Sequence, residues 1–454
     1  MLSTAESAEG PLLVSDSADI SGSLFQDAIV QRDCSLHVRG NLKGSLTIER
    51  GANVVVEGSV DGKVINNGGK LVVNNRGIAE YATVEGPPEA EAGGILKVDL
   101  NAIACNWEEL AKHTNAECAA VVRAGAYGCG IEPVAGTLAE VGCRTFFVSD
   151  LAEARRVRAS APRAVIYVLN GLYAGTGPVF AEIDARPVVS GSIELAEWDV
   201  FAATSGWTGG FALNVDTGTS RLGFSLEEAA GLANRVNSTN HGIRLLMSRL
   251  DHAKKSDHPL NDTQIERFRE LRRLFGGVDA SLADESGIFL GAKAHFSLVR
   301  AGASLLGLNP TPGRINPMRP VLELRARIVQ VRNLEPGETI AYDASRPMKR
   351  PARLALVPIG YFDGYPRPVG PVDNPLCGIV GGKPCRIAGP VSIDLMAIDV
   401  TDLPDPRAAR RGALVTLIGA ELGIDEVATA AQLSGHEFLS GLSRRLHRVY
   451  YAAR

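Results

Sequence analysis

The N-terminal fifth of the chain repeats on itself every 18 residues. Leu24, Leu42, Val60 and Ile78 stand at that spacing; Leu36, Val54 and Val72 keep it; so do Ala28, Leu46, Val64 and Ala82. A fixed period of short apolar runs with Gly and Asn between them means one structural unit per repeat, each covered by its neighbours. The runs are β in character, and eighteen residues suit a three-sided coil with about six residues per side. Residues 20–85 are therefore expected to form a small β-solenoid of roughly three to four coils. Residues 1–19, acidic and Ser-rich, read as a disordered tail, and residues 86–94, GPPEAEAGG, as a linker. A short stack leaves strand edges open at its ends, which suits higher assembly through this domain.

From residue 95 the pattern changes. Apolar runs at 118–122, 145–148, 164–169, 211–215 and 243–247 alternate with amphipathic stretches such as DLAEARRVRASA and NDTQIERFRELRRLF. Alternation over some 200 residues predicts a parallel sheet, and the number of units favours a closed (β/α)8 barrel over 95–320. Beyond it, 321–454 reads as antiparallel strands with Pro and Gly turns, ending in a short basic helix near LSGLSRRLHRVYY. The fold class is thus α/β: a barrel plus a C-terminal β-rich domain, preceded by the short solenoid.

The formal charge of −4 gives no footprint for nucleic acid, and no apolar run approaches the ~20 residues of a membrane helix. The N-terminus lacks a basic region followed by an apolar core, so no secretory signal is read. Seven scattered cysteines with no C-x-x-C pair argue against a disulfide framework or a cysteine zinc site and suit a reducing cytoplasm.

Eight motifs then converge. AVVRAGAYGCG (120–130), VDTGTSRLGF (215–224), MSRLDHAKKSDHPLN (247–261), ESGIFLG (285–291), SLVRAGASLLGLNP (297–310), IAYDASRP (340–347), PIGYFDGYPR (358–367) and GPVSIDLMAID (389–399) resemble the alanine racemase family, in its order and spacing. The resemblance covers about 95–454. It implies a barrel plus β-domain, pyridoxal phosphate (PLP), interconversion of L- and D-alanine, and a head-to-tail homodimer. The coils before it resemble bactofilin-type polymer-forming proteins, by period and composition.

The resemblance also assigns residues. Arg123 stands where the family has the lysine that joins PLP covalently and moves a proton. A guanidinium stays protonated and has no free amine lone pair, so it cannot make that link and is a poor base near neutral pH. Tyr342 matches the second base. Arg249 stands where that tyrosine's partner histidine is expected; it can favour a phenolate by charge but cannot shuttle a proton. Tyr127, Ser286, Gly302 and Ala303 match phosphate-cup positions, and Arg300 the arginine facing the pyridine nitrogen. Leu446 replaces one more cup tyrosine. Arg221 matches the arginine holding the substrate carboxylate, with Asn214 in place of a neighbouring lysine. Tyr361 matches an entry-gate tyrosine, and Ile393 and Asp394 fall where a partner subunit would complete the site.

These departures lead to the expectation of a racemase-like protein without ordinary racemase activity: a pseudoenzyme or oligomer binding a small anion, carboxylate or amino acid between Arg123, Arg221 and Arg300. PLP could still bind, though not as a lysine aldimine, and no other cofactor is expected. Two alternatives stay open. One is a PLP-dependent alanine racemase using a relocated lysine, with Lys254 and Lys255 the candidates; the other is a structural assembly led by the solenoid. His252 and His258 with Asp251 and Asp257 read as a family loop rather than a metal site.

Overall fold

The computed structural model describes residues 10–73, 78–85, 87, 89–237, 242–340, 347–367 and 376–452; Tyr342 lies outside them. The chain forms two compact units, one of residues 1–101 with 321–454, the other of residues 102–320.

In the first unit the 18-residue period becomes strand register. Ala18 pairs in parallel with Leu36 and Leu36 with Val54; Leu24 with Leu42 and Leu42 with Val60; Ala28 with Leu46 and Leu46 with Val64. Each series is one side of the coil. The sides enclose an apolar cluster that includes Val30, Val38, Leu42, Leu46, Ile48, Val56 and Val64. Backbone packing enforces the period as strictly as the interior does. A Cβ on Gly40 would lie 2.1 Å from the Gly22 carbonyl oxygen, and one on Gly58 1.9 Å from that of Gly40. Only glycine allows such an approach.

The stack begins earlier than the period suggests. Leu12–Val14 pairs with Ala28–Val30, Leu12 opposite Ala28, a step of 16 that breaks the pattern. The segment read as a tail therefore contributes strands at Leu12–Val14 and Ala18–Ile20. At the other end, Ile78–Glu85 pairs in parallel with Ser59–Asn66 and antiparallel with His447–Ala452. His447–Ala452 pairs on with Gly94–Asp99, and that strand with Leu322–Arg327. The coils and the C-terminal domain thus share one continuous sheet. The expected basic C-terminal helix is replaced by the helix Gly435–Gly441 and the strand His447–Ala452. Tyr450 is fully buried there, and a β-rich run beside a sheet edge is more stable paired than coiled.

The second unit holds eight parallel strands: β1 Glu117–Val121, β2 Thr145–Val148, β3 Val165–Val168, β4 Ala185–Val189, β5 Phe211–Asn214, β6 Ile243–Met247, β7 Asp279–Ser281 and β8 Leu298–Ala301. Neighbours pair from β1 to β7, and β8 pairs with β1. The Ser297 amide donates to the Ala280 carbonyl at 2.9 Å and the Arg300 amide to the Ala283 carbonyl at 3.0 Å, which closes the barrel. Ala119, Phe147, Tyr167, Val188, Ala212, Leu245, Met247 and Leu298 fill the interior. Alternating large and small side chains make it a packed core rather than a pore. β4 and β7 carry weak strand signals, one interrupted by Pro187 and one only three residues long.

Candidate active site

The C-terminal ends of barrel strands gather the groups that carry chemistry in this architecture. After β1 the backbone turns left-handed: φ is 55° at Ala124, 67° at Gly125, 52° at Ala126 and 51° at Tyr127. Left-handed conformation costs a non-glycine residue about 1–2 kcal/mol, so this turn is held by its surroundings. Glu153 is the clamp, accepting the Gly125 amide through Oε1 and the Ser149 amide through Oε2, both at 2.8 Å. No motif marks Glu153 for this positioning role.

The turn aims Arg123 and Tyr127 together. The Arg123 guanidinium carbon lies 6.0 Å from the Tyr127 ring centre. Burial pushes the Tyr127 phenol well above its ordinary range, and the nearby Glu285 charge adds to this, so the hydroxyl stays neutral. Gly302, after β8, faces the same spot. A Cβ there would stand 2.7 Å from Tyr127 Oη and 2.9 Å from Glu285 Oε2.

Arg300 on β8 is buried, donating from Nη1 to Ser281 Oγ at 2.5 Å and from Nη2 to the carbonyls of Ser248 at 2.7 Å and Leu282 at 3.3 Å. Burial lowers its pKa to about 10, which leaves it charged at neutral pH. Asp284 is its nearest counter-charge by effect; Asp284 itself is pushed up by burial and by Glu285, and caps the Gly287 amide at 2.9 Å. Ser286 and Ala303 are buried beside these groups in sequence. Asp284 and Glu285 escaped the sequence reading, because two acids before Ser286 look like loop charges. They bear directly on the anion expected between Arg123, Arg221 and Arg300: carboxylates of the chain itself already face the buried guanidinium.

The other expected residues lie further out. Arg249 and Arg221 are exposed. Asn214 fixes the chain beside Arg221, donating to Ser190 Oγ at 3.1 Å and to the Leu222 carbonyl at 3.2 Å. Lys254 and Lys255 are exposed in the loop after β6. His252 and His258 stack with ring centres 3.9 Å apart, and the described residues hold no group of three or more potential metal ligands. In the first unit Tyr361, Ile393 and Asp394 are exposed, whereas Leu446 is buried in the domain interior.

The cup and ring positions fit a phosphorylated pyridine: a buried neutral hydroxyl, a buried serine, a glycine where a side chain would fill the cradle, and a buried guanidinium. Arg123 does not fit as the amine that would join such a cofactor.

Residues 98–310 match the family described as "Alanine racemase, N-terminal domain", and residues 321–450 match "Alanine racemase, C-terminal domain". The chain belongs to the alanine racemase family. An alanine racemase of Methylobacterium sp. (strain 4-46) is 45% identical over 359 residues, 79% of this chain and 98% of that protein. The biosynthetic alanine racemase of Agrobacterium fabrum is 40% identical over 368 residues, 79% of this chain and 94% of that one. The crystal structure of alanine racemase from Bartonella henselae with covalently bound pyridoxal phosphate superposes with a TM-score of 0.74 at 31% identity, covering 79% of this chain and 99% of the other.

These relatives overturn the expectation of a non-racemising, anion-binding pseudoenzyme, since proteins matching at such identity over nearly their whole length carry the racemase name. The physical error lay in scope. The guanidinium argument excludes one position as the amine, not every position, and the surplus positive charge is met by Asp284 and Glu285.

Proposed function

We propose that this chain is a PLP-dependent amino-acid racemase acting on alanine, working as a homodimer in a reducing compartment. Its family membership over the full length of its relatives carries the reading. When bound, PLP supplies an electron sink that lets the hydrogen on the substrate α-carbon leave and return as a proton. The chain's own residues do the rest. Tyr127, Ser286, Gly302 and Ala303 hold the phosphate, and Arg300 orients the ring. Arg221 grips the substrate carboxylate through its planar fork. Tyr342 holds or moves a proton on one face of the substrate. Tyr361, Ile393 and Asp394 face the partner subunit. The amine that joins the cofactor comes from Lys254 or Lys255, whose loop leaves the barrel face that carries Arg249. The coil domain adds higher assembly through its bactofilin-like stack.

The test is direct. Purified protein with added PLP should form D-alanine from L-alanine. Borohydride treatment and peptide mapping should find a pyridoxyl group on Lys254 or Lys255, lost when both are changed to alanine. Arg123→Lys should add a second labelled site at 123. No D-alanine at any PLP concentration, with no labelled lysine, would overturn the reading.

A further inference from the structure

We propose that the first unit carries a binding site of its own, where the coils meet the C-terminal sheet, for an amphipathic organic anion: a flat apolar body bearing one carboxylate or phosphate. No residue of the barrel takes part, so the inference stands apart from the racemase reading. Strand register builds the site. Ile95, on Gly94–Asp99, lies opposite His447 on one neighbouring strand and Arg325 on the other; two residues on, Lys97 lies opposite Val449 and Glu323. Residues two apart in a strand share a sheet face. Ile95, Lys97, Arg325, His447 and Val449 accordingly line one cavity of about 810 Å³, to which the coils add Arg50 and Ile65. Cavities of roughly 300–1,000 Å³ take ligands of drug-like size, lined by apolar groups with a few polar ones that fix orientation.

The polar groups of this lining are short of acceptors. Lys97 and Arg325 share a single carboxylate, Glu323, with Lys97 Nζ at 3.6 Å, so the wall they form keeps one positive charge over. Arg325 reaches Glu323 through Nη2, while its Nε is shut off from water and has no acceptor. A buried donor without an acceptor is a standing cost, and an oxygen of a carboxylate or phosphate taken into the planar fork of Nε and Nη removes it. Across Ile95 stands His447, only 6% exposed, with Nδ1 bonded to the Pro87 carbonyl at 2.9 Å. A carbonyl only accepts, so the hydrogen is on Nδ1, and Nε2 is left without a partner among the described residues. Arg50 is exposed and makes no hydrogen bond or ion pair among them either. The acids of the lining are engaged elsewhere: Glu49 accepts from Asn67 Nδ2 at 3.0 Å, and Glu89 pairs with Arg327. Lys63 also lines the cavity, but it stands opposite Glu80 in register and brings no surplus. The anionic head thus belongs on the wall of Lys97 and Arg325, and the apolar body over Ile95, Val449 and Ile65.

The test uses the full chain saturated with pyridoxal phosphate and four probes built on one ring system: naphthylacetate, naphthyl phosphate, naphthol and naphthylmethylammonium. Titration calorimetry should show both anions binding, naphthol about tenfold or more weaker and the ammonium weaker still, since a hydrogen bond to a charged group is worth about a factor of ten or more. Arg325→Gln should weaken both anions about tenfold while leaving naphthol as it was. Arg50→Glu should weaken them about threefold, the scale of an exposed charge. Because Arg50 is exposed and unbonded, that variant keeps the fold. Naphthol or the ammonium binding as tightly as the anions overturns the proposal. So does an anion affinity that neither variant changes, the result expected of probes lodged in the barrel. Should Arg325→Gln fail to fold, an unchanged affinity in Arg50→Glu overturns it alone.

Discussion

The coil stack and the barrel solve the problem of burying apolar surface in opposite ways. In the coils, beyond the first strand, residues answer to those 18 before them: apolar columns fill the interior, and Gly40 and Gly58 let backbone pass over backbone. Among the described residues, the buried side chains of the coils are apolar apart from Asn66. The barrel repeats its topology but not its sequence, and at its C-terminal end it buries Arg300 with Glu285 and Ser281, Asp284 half-buried beside them. Repetition makes a fold legible and chemically uniform. Chemistry needs singular residues, and those can be buried only where each has a partner of its own.

The largest expected effect tests the barrel side of that contrast. Arg300→Leu removes three hydrogen bonds and leaves the buried Glu285 and the half-buried Asp284 without their cation, a change that costs about 3–5 kcal/mol. The pH dependence has a definite sign. Asp284 is already raised by burial, so its folded form holds a proton more tightly than its unfolded form, and its contribution to stability fades as pH rises through the folded value. Without Arg300 that value rises further. The drop in Tm should be smaller at about pH 5, on the side where a raised carboxyl takes up its proton, than at about pH 8. An equal drop at both would mean that packing rather than charge sets the cost.

Next comes the coil side. Gly58→Ala would place a methyl 1.9 Å from the Gly40 carbonyl oxygen and 2.5 Å from that of Arg39, so backbone must move. Overpacking of this kind costs about 1–3 kcal/mol. Limited proteolysis should show cleavage between residues 10 and 73 while the barrel stays intact. Simultaneous loss of both would show that the two regions unfold together.

What could be read from the sequence follows the same division. The 18-residue register was legible because steric columns leave no freedom in it, and the first strand was hidden because its step is 16. In the barrel, runs such as TFFV at β2 announced themselves, whereas β4 carries Arg186 and Pro187 within ARPVV. Motif alone singled out Arg300, Gly302, Tyr127 and Ser286 as candidates, and the structure places them on β8 or just after β1, β7 and β8. Glu153 and Asp284–Glu285 were not singled out, since an acid that clamps a turn or balances a buried cation looks in sequence like any solvated charge. Leu446 looked like a missing hydroxyl and is a core residue of the first unit.

A gain should come from the barrel's own spare glycine. Gly136 lies within the helix Ile131–Glu140, and a Cβ there meets nothing within 4 Å. Gly136→Ala should stabilise the protein by about 0.4–1 kcal/mol, by restricting the unfolded chain and raising helix propensity. A melting curve distinguishes this from the loss expected at Gly58, where the same change of residue meets backbone.

The smallest effect is one of rate. All the cysteines are free thiols. In the barrel, burial pushes the Cys118 thiol up to about 12 and the Cys143 thiol higher still, so at about pH 8 neither offers a thiolate to an alkylating reagent. Cys34 in the coils is half-buried, its thiol donating weakly to the Arg32 carbonyl at 3.4 Å. Iodoacetamide on the native protein should modify Cys34 well before Cys118 or Cys143. Gly58→Ala should quicken the reaction at Cys34 alone, because opening a stacked repeat exposes its own coil first. Equal acceleration at Cys143 would mean that strain in the glycine column reaches the barrel, and the two regions would then have to be treated as one cooperative structure rather than as two separate solutions to burial.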